Sequence, residues 1–191
     1  MEAVPTLYQG RQYRSRLEAR WAAMFDLLQW RVEYEPIDFE GWIPDFVISE
    51  AKEVFVEVKP VSTFPAQAAE KIRKSGCCQE VLIVGYSVPI EDQYLGWLRH
   101  AGEEEDTWEW GEAALGVWKG TESASRRGRI NIGNQENLIG FCHATGSFHD
   151  RITGFYDGGS YGSGHDTDVL ATIRSYWQEA GNLVQWRRPH R

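Results

Sequence analysis

Two apolar runs separated by a short polar turn carry the strongest structural signal in the chain: Pro44-Asp45-Phe46-Val47-Ile48 and Val54-Phe55-Val56-Glu57-Val58-Lys59. Short runs rich in β-branched and aromatic residues predict two neighbouring β-strands, over residues 45–48 and 54–58. Side chains alternate along a strand, so Glu57 and Lys59 share one face, about 7 Å apart, while the valines of the second run point to the other face.

Asp45 stands at the start of the first strand, where its carboxylate can lie beside that of Glu57 in an antiparallel neighbour. Two carboxylates held together in partly apolar surroundings repel each other unless a cation lies between them. A divalent metal ion supplies that cation, and oxygen ligands suit Mg²⁺ or Mn²⁺. The ammonium of Lys59 would hold or help deprotonate a water molecule and offset developing negative charge. The sequence therefore predicts a catalytic metal centre.

A helix is predicted immediately upstream, over residues 15–30. Leu17 and Trp21 begin an apolar repeat at helical spacing, and Ser15 can cap the first turn. Glu18 falls on the margin of the apolar face, an unusual position for a carboxylate. There it would complete or orient the ligand shell of the metal.

The remaining elements of the first half give the fold class. A strand is predicted over residues 31–34, a second helix over 65–74, and an apolar strand over 81–84. The resulting order of helix, three strands, helix and strand indicates an α/β fold, in which the first helix covers a meander of strands.

Three motifs stand in this order along the chain: Tyr13-Arg14-Ser15-Arg16-Leu17-Glu18-Ala19-Arg20-Trp21-Ala22, Pro44-Asp45 and Glu57-Val58-Lys59. Together they resemble the PD-(D/E)XK phosphodiesterase superfamily, which includes many restriction endonucleases, Holliday-junction resolvases and the endonuclease subunit of Tn7-type transposases. The helix motif is most similar to that subunit and to small phage and bacterial members.

The resemblance covers roughly residues 7 to 85. It implies a restriction-endonuclease-like αβββαβ core with a mixed central sheet, and Mg²⁺-dependent cleavage of the DNA backbone. It also implies that Asp45 and Glu57 are metal ligands, with the carbonyl of Val58 as a further ligand. Glu18 and Lys59 would complete the catalytic site.

Charge is distributed unevenly along the chain. The 20 basic and 28 acidic residues give a net charge of -8, which argues against a surface coated in positive charge for indiscriminate nucleic-acid binding. Arginines nevertheless collect near the N-terminus. Arg11, Arg14 and Arg16 are predicted to bind phosphates of DNA close to the scissile bond, and the alternative for them is ordinary surface charge.

The length of 191 residues fits one domain, or one domain with a smaller appendage. We assign residues 1–90 to the nuclease core. Residues 91–191 form a C-terminal α+β extension, which either completes the same domain or serves substrate recognition or assembly. Many of the nine tryptophans lie there, and packing is the favoured explanation for them over base stacking.

Secondary-structure signals in this extension are weak. Residues 114–118 and 138–141 are candidate strands, whereas residues 126–137 are polar and glycine-rich. A last helix is predicted over residues 167–180, ended by Gly181-Asn182 and followed by an edge strand or tail over residues 183–188.

Three cysteines, two of them adjacent, make no disulfide framework. A cytoplasmic setting in a bacterium or a phage-infected host cell is therefore expected. No apolar run resembles a signal peptide or a membrane span. Cys142, His143 and His149 suggest a zinc site, but their spacing matches no standard Cys-x-x-Cys pair. A core cysteine beside a loop histidine is the default interpretation.

These features favour a metal-dependent endodeoxyribonuclease that uses one or two Mg²⁺ ions. Two alternatives stay open. One is a non-catalytic DNA-binding or complex-assembly subunit that keeps the nuclease fold. The other is a phage-encoded inhibitor that binds a host protein through the acidic, tryptophan-rich second half. A homodimer or a partner protein would supply the second site that a double-strand cut needs.

Overall fold

The computed structural model of the chain describes residues 3–88, 94–102, 107–119, 129–132, 135–143, 149–156 and 167–185. Ten strands and three helices lie within these residues. In chain order they are β1 (Thr6–Tyr8), β2 (Arg11–Tyr13), α1 (Arg16–Leu27), β3 (Val32–Tyr34), β4 (Phe46–Ser49), β5 (Glu53–Val58), α2 (Ala66–Lys74), β6 (Glu80–Val84), β7 (Tyr94–Ala101), β8 (Trp108–Lys119), β9 (Arg129–Ile132), β10 (Gln135–His143) and α3 (Thr167–Leu183).

Eight of the strands form one mixed sheet in the order β3-β4-β5-β6-β7-β8-β10-β9. β5 and β6 are parallel, and α2 lies in the crossover that a parallel pair requires. The other neighbouring pairs are antiparallel. The predicted α/β class is confirmed, and α1, β3, β4, β5, α2 and β6 follow one another in the predicted order.

Helix α1 forms because a capping residue fixes its first turn and an apolar side binds it to the sheet. Ser15 Oγ accepts a hydrogen bond from the N–H of Glu18 at 3.1 Å. Trp21 and Phe25 are fully buried in the larger of two hydrophobic cores, which α3 also covers. Within the described part of the chain, no helix has the length and apolar character needed to cross a membrane.

The side chains of β5 divide between the two cores. Val54, Val56 and Val58 belong to the larger core. Phe55 belongs to a smaller core, which includes Ile72 of α2. The predicted alternation is therefore confirmed, and Glu57 lies on the side of the sheet that α2 covers.

Strands from both halves of the chain share hydrogen bonds in this one sheet. Ile83 of β6 is paired with Trp97 of β7. The segment 149–156 is attached to β6 by Arg151, which is completely buried and places Nε and Nη2 each 2.9 Å from the carboxylate of Glu80. An antiparallel sheet neighbour and a buried ion pair thus connect residues 91–191 to the first half.

Three regions of strand were not predicted from the sequence. The first is the hairpin of β1 and β2, whose turn residues Gln9 and Gly10 both have positive φ angles, 47° and 79°. A turn with two consecutive positive φ angles has a backbone twist that matches the right-handed twist of the two strands it joins. The second region is β7 with the first part of β8. The third is β9, which lies inside the segment 126–137 that was described from the sequence only as polar and glycine-rich.

The predicted end of the last helix is wrong. Helix α3 continues through Gly181 and Asn182 to Leu183. Gly181 lies inside the helix, and the guanidinium of Arg20 packs against it: a Cβ at this position would lie 3.1 Å from Arg20 Cζ. Leu183 is therefore helical, and residues 186–188 of the predicted edge strand or tail lie outside the described residues.

Candidate active site

Asp45 and Glu57 lie side by side at one end of the β4–β5 pair. Phe46 is paired with Val56, so the same register carried one residue further sets Asp45 opposite Glu57. Oδ2 of Asp45 accepts a hydrogen bond from the backbone N–H of Val58 at 2.7 Å. The two acidic residues are only 7% and 4% exposed. The chain therefore holds two carboxylates together out of contact with most of the solvent.

One neutral donor and one charged group hold the carboxylate of Glu57. Nε1 of Trp42 donates a hydrogen bond to Oε2 at 2.9 Å, and Nζ of Lys59 lies 2.5 Å from Oε1. Lys59 follows Glu57 by two positions, so strand alternation brings its ammonium to the same face. Trp42 arrives from the turn between β3 and β4, where it pairs with Phe39.

The surroundings of Asp45 favour its neutral form. Burial, and next the charge of Glu57, raise the pKa of Asp45 to about 7, although the N–H of Val58 and the charge of Lys59 act in the opposite direction. Near neutral pH the metal-free protein therefore carries Asp45 in both protonation states. A divalent cation bound beside it would stabilise the ionised form.

Arg14 brings a second positive charge to the carboxylates. Its Nη2 lies 3.5 Å from Oδ1 of Asp45, and it also forms an ion pair with Glu35. Arg14, Lys59 and Lys71 of α2 line a cavity of about 290 Å³, together with Asp38, Gly41, Trp42, Ile43, Asp45 and Glu57. Cations and carboxylates thus face one open volume, as binding of a metal ion and a phosphate together requires.

Glu18 lies next to this cavity, and both oxygens of its carboxylate already accept hydrogen bonds from the protein. Ser15 Oγ donates to its Oε1 at 2.7 Å. Its Oε2 accepts from the hydroxyl of Tyr34 at 2.7 Å and from the backbone N–H of Arg14 at 3.2 Å. Burial, with the bond to Glu18, raises the pKa of Tyr34 to about 12, so the phenol keeps its proton at neutral pH. Glu18 therefore holds the helix end and the Arg14 segment in place.

The donors at the cavity fit a hard divalent cation. Among the described residues, no three His, Cys, Asp or Glu side chains are grouped as a metal site, so Asp45 and Glu57 form the pair to consider. In a strand the N–H and C=O of one residue point to the same side, and the N–H of Val58 points to Asp45. Two carboxylates and the Val58 carbonyl, completed by water molecules, suit Mg²⁺.

The three arginines predicted to bind DNA occupy three different places. Only Arg14 lies in the cavity with Asp45. Arg11 lies over the ring of Tyr34, with its Cζ 5.9 Å from the ring centroid, beside a neighbouring cavity of about 260 Å³. Arg16 lines a third cavity together with Arg20. A single phosphate cannot contact all three guanidiniums.

The zinc hypothesis gains no third ligand from the described residues. Cys142 is buried in β10, and His149 forms an isolated bridge with Tyr156. The side chain of His143 and the whole of His165 lie outside the described part of the chain.

Three residues of the site were missed from the sequence. Trp42 and Tyr34 donate to the site carboxylates, and Lys71 lines the cavity. Trp42 and Lys71 carry no local signal, because only the folded chain brings them to the site. Of the partners of Glu18, Ser15 has a local signal and Tyr34 has none: the pattern Ser15-x-x-Glu18 is that of a capping box, in which the serine and the glutamate form hydrogen bonds at a helix start.

Comparison of the chain with protein-family models, curated proteins and solved structures found no match. A functional assignment therefore depends on this cavity and on the elements that build it. Its strongest features are the buried pair Asp45 and Glu57, the contact of Lys59 with Glu57, and the position of the pair at the end of two adjacent strands.

Proposed function

We propose that the protein is a Mg²⁺-dependent endodeoxyribonuclease of the PD-(D/E)XK superfamily, which hydrolyses phosphodiester bonds in DNA. The observation that carries the proposal is the juxtaposition of the buried Asp45 and Glu57 carboxylates, with Nζ of Lys59 2.5 Å from Glu57. The order α1-β3-β4-β5-α2-β6, with β5 and β6 parallel, supports it because it corresponds to the αβββαβ order that the resemblance implies.

Asp45, Glu57 and the carbonyl of Val58 would hold the metal ion. When bound, Mg²⁺ would polarise a phosphoryl oxygen and lower the pKa of a water molecule in its shell. Asp45 must be ionised to serve as a ligand, and its pKa of about 7 makes that state accessible at neutral pH. The hydrogen bond from Val58 would keep the ionised carboxylate directed at β5, in position to hold the cation.

Lys59 is the residue best placed to act on the attacking water. Its side chain is 36% exposed and its ammonium already contacts Glu57, so it can reach solvent without leaving the site. In that position it would orient a water molecule and stabilise negative charge on the phosphate as the bond breaks. Arg14, with 55% of its side chain exposed, offers a guanidinium for a non-bridging phosphate oxygen.

Glu18 contributes by position in this proposal. Both of its oxygens accept hydrogen bonds from Ser15, Tyr34 or the backbone of Arg14. These bonds hold Arg14 next to Asp45. The negative charge of Glu18 also adds to the rise in the pKa of Asp45. Direct ligation of the metal by Glu18 would require some of these bonds to break.

The proposal is tested by incubating the purified protein with supercoiled, linear, single-stranded and branched DNA, each with Mg²⁺, Mn²⁺ or EDTA. We expect cleavage with Mg²⁺ or Mn²⁺ and none with EDTA. Asp45→Asn and Glu57→Gln should abolish it. Glu53→Gln is the matched control, because Glu53 lies on the same strand and face as Glu57 but is exposed.

Two results would count against the proposal. Full activity of purified Asp45→Asn would exclude the acidic pair as the source of cleavage. DNA binding without metal-dependent cleavage of any of the four substrates would show that the protein is a non-catalytic DNA-binding subunit and not a nuclease. Thermal unfolding of each variant, recorded alongside, separates loss of activity from loss of the fold.

A further inference from the structure

A second basic feature lies in a cleft between α1 and α3, away from the acidic cavity. The cleft has a volume of about 420 Å³, and its lining includes three arginines and three carboxamides: Arg16, Arg20, Arg174, Gln178, Asn182 and Gln185. Trp177, Gly181 and Val184 complete the lining. No acidic residue is among the described residues that line it. Six side chains of the lining can therefore donate hydrogen bonds to an anion.

The arginines of the cleft differ from three other arginines of the chain in having no ion pair among the described residues. Arg14, Arg73 and Arg151 each form an ion pair with a glutamate or aspartate. Within the described residues, no carboxylate lies within ion-pair distance of Arg16, Arg20 or Arg174. In a chain with a net charge of -8, a group of like charges with no counter-ion among the described residues favours an anionic ligand.

Arg20 is fixed in place before any ligand arrives. Its Nε and Nη2 donate to the backbone carbonyl of Trp177 at 3.1 and 2.7 Å. Its Cζ lies 3.9 Å from the centroid of the Trp177 ring, and Gly181 leaves the space that the guanidinium occupies. Because its position is already determined, little conformational entropy is lost when the N–H groups of Nη1 bind an acceptor.

We propose that the α1–α3 cleft binds phosphate groups of a nucleic-acid backbone. Guanidinium and carboxamide groups recognise phosphate oxygens without reading base sequence. The choice of nucleic acid as the source of these phosphates rests on the proposed nuclease function. The cleft adds Arg20 and Arg174 to the residues that contact DNA, and it gives α3, which lies beyond the region of family resemblance, a role in substrate binding.

The geometry of α1 determines which phosphates these are. Arg16 and Glu18 are two residues apart, which places them about 200° apart around the helix. The cleft therefore lies on the side of α1 opposite to Glu18, whose carboxylate is bonded to the Arg14 backbone at the acidic cavity, and the helix with its side chains is about 10–12 Å across. At 3.4 Å of rise per nucleotide of one strand, the cleft contacts a phosphate roughly three or more nucleotides from the scissile bond.

The experiment is a DNA-binding measurement that does not depend on cleavage. Fluorescence anisotropy of a labelled duplex is recorded in EDTA at several salt concentrations, for the wild type and for Arg16→Gln/Arg174→Gln. Both side chains are exposed, so the double variant should fold. Each lost phosphate contact lowers the slope of log K against log salt by about 0.9. We expect a slope reduced by about 2 and binding weakened on the order of 10-fold.

The matched control is Arg73→Gln, which removes the same charge from α2 on the opposite side of the sheet. Its slope should equal that of the wild type. If the double variant also keeps the wild-type slope, the cleft does not bind the backbone. The single variants Arg174→Gln and Arg174→Glu test α3 alone. The affinity for DNA should fall further in Arg174→Glu, because this change adds a negative charge as well as removing the positive one.

Two further arms distinguish this inference from the proposed function. A salt slope that depends on Arg16 and Arg174, without cleavage of any DNA in Mg²⁺, would support the cleft and overturn the nuclease. Cleavage of DNA in Mg²⁺, with the same salt slope in the double variant as in the wild type, would support the nuclease and overturn the cleft. Titration with inorganic pyrophosphate identifies the source of the phosphate: saturable binding of pyrophosphate to a wild type that has no affinity for DNA would overturn the assignment to nucleic acid.

Discussion

The backbone N–H of Val58 donates a hydrogen bond to Oδ2 of Asp45 at 2.7 Å. This bond joins the residue before β4 to the last residue of β5, at the point where the regular pairing of the two strands ends. It prevents the Asp45 side chain from turning away from Glu57 into solvent. The two carboxylates therefore stay adjacent, and their repulsion contributes to the raised pKa of Asp45, about 7.

The first prediction concerns the pH dependence of stability. The pKa of Asp45 in the folded protein is about 7, above a value of about 3.9 in an unfolded chain. Folding thus favours the protonated form, so its stabilisation is complete below about pH 4 and is lost as the pH rises through 7. In EDTA the free energy of unfolding should fall by roughly 3 kcal/mol between about pH 5 and pH 8 from this group.

Asp45→Asn should remove this contribution, because its side chain stays neutral and can still accept the hydrogen bond from Val58. Urea unfolding at the two pH values measures the difference. Glu53→Gln, the exposed control on β5, should keep the wild-type pH dependence. An equal fall in Asp45→Asn and wild type would mean that Asp45 does not titrate near neutral pH.

The second prediction is that divalent cations stabilise the folded protein. A ligand that binds only the folded state contributes about 2.7 kcal/mol when present at 100 times its dissociation constant. Addition of Mg²⁺ or Ca²⁺ at about pH 8 should therefore raise the Tm of the wild type relative to NaCl of equal ionic strength. Asp45→Asn and Glu57→Gln should show no such rise, and a rise of equal size in either variant would locate the cation elsewhere.

The third prediction separates Lys59 from an ordinary surface lysine. Lys59→Gln should reduce cleavage about 100-fold or more, the usual effect of removing one group that stabilises charge in a transition state. Lys52→Gln is a close control, because Lys52 also pairs with a glutamate, at 3.6 Å from Glu80, and is similarly exposed. Initial rates of plasmid cleavage measure both. Comparable rates for the two variants would assign Lys59 to a structural ion pair with Glu57.

The fourth prediction compares two arginine–glutamate pairs of the same chemistry. Arg151 with Glu80 and Arg73 with Glu70 are both bidentate. The Arg151 side chain is 0% exposed, whereas that of Arg73 is 67% exposed. Without Arg151, the mostly buried Glu80 carboxylate keeps only the longer 3.6 Å contact with Lys52. Arg151→Met should therefore lower the free energy of unfolding by about 3 kcal/mol.

Arg73→Met should leave stability almost unchanged, because solvent screens the exposed pair. Chemical denaturation of the two variants provides the comparison. A small effect of Arg151→Met would show that the segment 149–156 contributes little to the stability of the sheet.

The sequence predicted those parts of the fold and site that depend on local order. Strand alternation places Glu57 and Lys59 on one face whatever the rest of the chain does, and the structure has them there. The helix of Glu18, the crossover helix α2 and strand β6 were also predicted, because each has its own apolar pattern with end signals. Asp45 could be set beside Glu57 because the two strands are joined by a short turn.

The remaining features depend on contacts between distant parts of the chain. Trp42 contacts Glu57 because the turn before β4 packs against the end of β5. No periodic pattern in the sequence predicts that contact. The end of α3 was predicted at Gly181 because glycine usually ends helices. In the structure Gly181 is internal to α3, and its small size leaves space for the Arg20 guanidinium, which comes from a helix more than 150 positions away in the chain.

The hydrogen bonds between Ser15 and Glu18 connect the fraying of helix α1 with the availability of the Glu18 carboxylate. Any fluctuation that opens the first turn of α1 breaks the bond from the Glu18 amide to Ser15 Oγ and frees one oxygen of the Glu18 carboxylate in the same step. The hydrogen-exchange rate of that amide would therefore report how often Glu18 becomes available to a cation. Fraying of this helix end, ordinarily only a local loss of order, would here be the equilibrium that releases the Glu18 carboxylate to bind a metal ion.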